Sequence, residues 1–225
     1  MGRGRTLWEM LTDWAAGPVE FRYYNPLKAR VGHAVDIDII DWRDKGFFLR
    51  EIREYKRLIS GKKFLFADYV LLARPLGHDD IWLRLRLNPV SDAGRTGDAS
   101  HHVLLLQLDH ECEYNEELHN TVKARTGIFQ ITENGEVKEE FTRINDVRGS
   151  YKATVTIIRD DNQDRRVTSD EIEKRRLEYW DYWREISDDA GQPVTEFLFV
   201  EMDTEDGWFE IWRGKEIDPR KVAVL

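Results

Sequence analysis

The chain contains a single cysteine, Cys112, so no disulfide can close within it. It has no Asn-x-Ser/Thr glycosylation acceptor and no leader with a basic start and a continuous apolar middle. No apolar run approaches the ~18 residues that a membrane helix needs. Together these absences predict a cytoplasmic protein without a transmembrane segment. Positive charge is also short, with 34 Lys and Arg against 43 Asp and Glu and a formal net charge of −9. That balance argues against a nucleic-acid partner, because a phosphate-backbone binder presents a basic face. A local basic patch at Arg84 and Arg86 remains open. The usual catalytic motifs are missing too: there is no Gly-x-Ser-x-Gly elbow, no phosphate-binding P-loop and no Gly-x-Gly-x-x-Gly. Cys112 lies between Glu111 and Glu113, whose charges would suppress its thiolate. The expectation is therefore no catalytic residues, no cofactor and no metal ligands.

What is present is material for a core. Of 225 residues, 41% are hydrophobic and eight are Trp, while the many charges of both signs are interspersed as on a solvated surface. The expected class is α+β, predominantly β: antiparallel strands and hairpins in one or two packed sheets or half-barrels, an N-terminal amphipathic helix, and one or two short helices. Four regions follow: a helix at 1–18, a first β-rich half at 19–88, a linker or loop at 89–101, and a second β-rich half at 102–225. In the first, Leu7, Trp8, Met10, Leu11 and Trp14 share one face before Gly17-Pro18 stops the helix. It packs on its own core or docks on a partner or membrane surface, with Arg3 and Arg5 favouring peripheral membrane contact. Met1-Gly2 with Thr6 also fits a myristoylation pattern, which matters only in a eukaryotic cell.

Val35, Ile37 and Ile39 read as a strand, and Phe47 to Arg57 suits either a helix or, given its aromatics, half of a hairpin with Lys63 to Ala73. Ile81 to Leu87 alternates, with Trp82, Arg84 and Arg86 on one face and Ile81, Leu83, Leu85 and Leu87 on the other. Pro89, Ser91, Gly94 and Gly97 mark the linker. Val103 to Leu108 reads as a buried strand, Glu113 to Arg125 as a short helix, and Asn134-Gly135 as a hairpin turn between Ile128–Thr132 and Val137–Arg143. Tyr151 to Ile158 is rich in β-branched residues and predicts a central strand. Thr168 and Glu171 suggest a capped helix. Leu177–Ile186, Glu196–Met202 and Trp208–Arg213 predict a three-stranded meander.

Two segments are alike. Phe64-Leu65-Phe66-Ala67-Asp68-Tyr69 leads through Gly77 to Ile81–Leu85, and Leu177-Glu178-Tyr179-Trp180-Asp181-Tyr182 leads through Gly191 to Phe197–Val200. A true repeat would mean two similar β-halves packed together. The first half, from Val31-Gly32 through Asp36, Asp41, Phe48 and Asp68-Tyr69 to Trp82-Leu83, resembles the bacterial family called domain of unknown function 4178. Asp68 stands where that family more usually has Glu. The resemblance implies a small β-domain and no assigned reaction.

Three clusters resemble metal sites. Asp160, Asn162, Asp164, Val167 and Glu171 follow calcium-loop spacing, but Arg165 stands where the turn needs glycine. His110, Cys112 and His119 offer soft ligands without a fourth. Asp109 with Glu136 and Lys138 has the composition of a magnesium-nuclease triple. None displaces the leading expectation of a non-enzymatic protein-interaction or scaffold domain with an unidentified protein partner. Trp180, Trp183, Trp208 and Trp212 are its candidate contact residues. The alternatives are a β-barrel holding a small apolar ligand and a metal-dependent hydrolase or nuclease.

Overall fold

The computed structural model describes residues 26–39, 41–42, 45–59, 62–74, 79–89, 101–144, 150–159 and 172–225. The expected helix over 1–18, the body of the 89–101 linker and the Asp160–Glu171 loop lie outside the described residues. The described chain is β-rich, with one α-helix rather than an α+β mixture. Residues enriched in β-branched and aromatic side chains form long strands. These are β1 (Ala34–Ile37), β2 (Phe47–Ile59), β3 (Lys62–Ala73), β4 (Ile81–Pro89) and β5 (His101–Cys112). After the helix α1 (Glu116–Lys123) come β6 (Ile128–Glu133), β7 (Glu136–Arg143), β8 (Tyr151–Arg159) and β9 (Ile172–Ser187). The last three are β10 (Pro193–Asp203), β11 (Phe209–Ile217) and β12 (Val222–Val224).

Two four-stranded meanders, β2-β3-β4-β5 and β8-β9-β10-β11, close on each other through antiparallel pairing of β5 with β11 and of β8 with β2. The result is an eight-stranded antiparallel barrel. Closure removes the free edges that an open sheet would leave. Strands β4 and β5 pair directly with each other on either side of residues 90–100. The ambiguous Phe47–Arg57 stretch is strand, and from Ile172 the backbone is already β9, so no helix extends past Glu171. The pairing slips at two places, each with one extra residue in a strand: Arg50 in β2 opposite Val70 and Leu71, and Asp109 in β5 opposite Ile211 and Trp212.

The inner face of the wall is buried, and two caps bury parts of the outer face. Outside, a first cap of β1, β12 and the segment from Leu27 packs Ala29, Val31, Val35 and Ile37 onto Ile52, Tyr69, Leu71, Leu83, Leu85 and Leu87. A second cap, made of α1 and the β6–β7 hairpin, packs Val122, Phe129 and Phe141 onto Trp180, Tyr182, Leu198, Val200 and Phe209. The predicted Asn134-Gly135 turn makes this hairpin, with φ of 52° and 80° at its two residues. Helix α1 is shorter than the spacing predicts, because Asn115 caps its start by accepting from Leu118 N–H. At its end, Arg143 donates to the Val122 and Ala124 carbonyls that the helix leaves unpaired.

Candidate functional site

The lumen is built from the alternation that the sequence displays in β4. One face of each barrel strand points inward, and many of those positions carry charge. Arg84 is 0% exposed, so the basic patch considered from the sequence is not on the surface. Its guanidinium lies 2.9 Å from Glu201 and 2.7 Å from Glu210, and it stacks 4.0 Å from the Trp212 ring centre. Arg86 makes a two-pronged bond to Asp68 at 2.8 and 2.9 Å and reaches Glu201 at 2.7 Å. Arg53 crosses the barrel to Glu210 at 2.7 Å and holds Glu51 at 2.6 Å, while Tyr55 donates to Glu201. Arg159 and Arg175 extend the chain of pairs through Glu173 to Asp203 at one mouth.

Burial alone would raise the carboxyl pKa values in this network. The guanidiniums overcome it: Arg53 and Arg84 hold Glu210 far below the ordinary carboxylate range, and Glu51 and Glu201 are lowered by the arginines beside them. Asp181 behaves oppositely. It is buried, with Oδ1 unpartnered and Oδ2 no nearer than 3.9 Å to Arg57. Burial therefore outweighs the pull of Arg86 and Arg57 and pushes its pKa up to about 6.

The outer wall has an opening. Between the two caps runs a groove of about 470 Å³, in the size range of ligand-binding clefts. Its floor is Leu83 on β4, Leu105 and Leu108 on β5, and the backbone of Gly214. Ile39, Asp41 and Trp42 form the first cap's rim, and Ile186 and Glu196 lie on the other side. Gln107, Asp109, Arg213 and Lys215 complete the lining. An extra residue in β5 explains Asp109: Ile211 faces His110 and Trp212 faces Leu108, so Asp109 has no cross-strand partner on β11 and lines the groove. Gly214 is needed where β5 and β11 run close, since a Cβ there would stand 1.9 Å from the Leu105 carbonyl oxygen. The far wall is braced by ion pairs, Arg184 bridging Glu139 and Glu196, and Arg213 joining Glu139 with Asp109.

The structure disperses most residues singled out from the sequence. Trp180 and Trp212 are buried, which removes them as contact residues, whereas Trp183 and Trp208 are exposed. Glu136 pairs with Lys138 at the hairpin tip, and the acid that Arg213 links to Asp109 is Glu139. His119 sits on α1, its ring among Tyr114, Trp180 and Phe209 and its Nδ1 2.9 Å from the Tyr114 hydroxyl. Cys112 packs against the same cluster, and burial raises its thiol pKa. Among the described residues no three His, Cys, Asp or Glu side chains are grouped to hold a metal ion. No described helix is long and apolar enough to cross a membrane. No signal in the sequence marked the groove, because its residues come from six separate stretches of chain. No known protein family matches this chain, and neither a curated protein nor a solved structure does.

Proposed function

We propose that this chain is a non-catalytic cytoplasmic binding protein that receives an extended segment of a partner protein in the groove between its two caps. The observation that carries the reading is the contrast in how the two surfaces are filled. Lumen charges other than Asp181 are spent on one another, whereas the groove leaves Asp41, Gln107 and Lys215 exposed around its half-buried apolar residues. An apolar side chain seated among the half-buried Ile39, Trp42, Leu108 and Ile186, with charged neighbours reaching Asp41 and Lys215, matches that lining. An apolar ligand inside the barrel would have to displace the paired charges, which weighs against the ligand-barrel alternative.

Photo-crosslinking in the native cell tests this reading. With benzoylphenylalanine at Gln107, a discrete adduct heavier than one chain is expected. The same probe at Thr154, exposed on the β8 outer wall, should give none. Discrete adducts from Trp183 or Trp208 with none from Gln107 would move the binding surface elsewhere and overturn the proposal.

A further inference from the structure

Resting on that reading of the groove, we infer that the partner segment anchors there through an arginine whose guanidinium binds the Asp109 carboxylate. The charges lining the groove separate into those already matched and those left over. Arg184 holds Glu196 at 2.6 Å and also reaches Glu139, and Glu139 in turn holds the Arg213 guanidinium. Asp109 has only Nε of Arg213 at 3.8 Å, beyond hydrogen-bond distance, and its side chain is 40% exposed. Among the described residues neither Asp41 nor Lys215, both exposed in the same lining, has an ion-pair partner. Two carboxylates and one ammonium are therefore left to meet a ligand.

The surroundings select arginine among cations. Asp109 follows Leu108 in β5, and Ile39, Trp42 and Ile186 are half-buried in the same groove. A guanidinium is weakly hydrated and lies flat on aromatic or aliphatic surface while its stem packs there, so it enters such a cleft more cheaply than an ammonium. Its fork also matches both oxygens of a carboxylate. Arg213 does not fill this role itself, because Glu139 holds it. Lys215 takes an acidic side chain or a main-chain carbonyl of the same segment. The partner is thus polarised, with its positive charge at Asp109 and Asp41 and its acceptor at Lys215.

Two dipeptides of nearly the same shape test this without the partner. Acetyl-Leu-Arg-amide and acetyl-Leu-citrulline-amide differ in charge, and each is titrated at millimolar concentration into the isotope-labelled full chain and followed by NMR. The arginine peptide is expected to shift the amide signals of Trp42, Gln107 and Asp109, with Lys138 unmoved, and to bind severalfold more tightly than the citrulline peptide. Asp109→Asn, a change at an exposed side chain that keeps its shape, should erase that difference. Equal responses to the two peptides, no response to either, or a charge preference that survives Asp109→Asn overturns the arginine anchor. The two ideas fail separately: a heavier adduct from Gln107 with no charge preference sinks only this inference. A charge preference that depends on Asp109, with no heavier adduct, sinks only the partner reading.

Discussion

The two polar regions of this barrel, lumen and groove, are made from the same residue types and are put to different uses. In the lumen every guanidinium of Arg53, Arg84 and Arg86 reaches at least two carboxylates, and aromatic rings pack between the pairs. Such a network has little left to offer a ligand, and its worth lies in fixing which strands face one another. In the groove the arginines brace one wall, but Lys215, Gln107 and Asp41 stand at the solvent boundary. Buried charge with complete partners is architecture here; exposed charge around an apolar floor is available for recognition.

The largest effect should come from breaking the lumen. Arg84→Met leaves Glu201 and Glu210 short of a partner in low dielectric and should cost about 3–5 kcal/mol by urea denaturation. A loss below about 1 kcal/mol would mean that water reaches the network and that it is no core. Next, Gly214→Ala forces apart β5 and β11 at the groove floor, and a loss of roughly 2–3 kcal/mol is expected. A neutral outcome would show that the two strands can separate there freely.

Neither effect was visible in the sequence, and the reason is physical. Alternation in Ile81–Leu87 was plain, but charged residues ordinarily lie at the surface, so nothing local marked Arg84 and Arg86 as facing a closed interior. Only barrel closure turns them inward, and closure depends on β2 meeting β8, pairing Tyr55 with Val155 far along the chain. Local features were legible where local physics decides them. The Asn134-Gly135 turn, the β-branched Tyr151–Ile158 strand and the final meander all form where the residues indicate. Of the expected α+β, predominantly β class, the β part holds: the described strands join one antiparallel sheet closed into a barrel, with a single α-helix beside it. Phe64–Tyr69 and Leu177–Tyr182 each lie on the second strand of a four-stranded meander. Their aspartates, Asp68 and Asp181, are both buried.

Those two aspartates sharpen the comparison at the next scale. Asp68 is held by Arg86 and Arg84, whereas Asp181 has only a distant guanidinium. Its folded pKa of about 6 is above the 3.8 of the free side chain. Its contribution to stability is therefore full below about pH 4 and is lost as pH rises through 6. Asp181→Asn should thus stabilise the protein by about 2–3 kcal/mol at pH 7.5 and by almost nothing at pH 4. Equal melting shifts at both pH values would show that Asp181 is not the strained group. Smallest in stability are charge changes at the groove's exposed edge: Lys215→Glu should shift unfolding by no more than about 0.5 kcal/mol, because its side chain lies at the surface.

That last variant also gives the most direct test of the division between lumen and groove. Lys215→Glu, carrying the photo-crosslinker at Gln107, should keep the wild-type denaturation curve and lose the heavier adduct. An undiminished adduct from a fully folded Lys215→Glu protein would contradict the assignment of recognition to the groove.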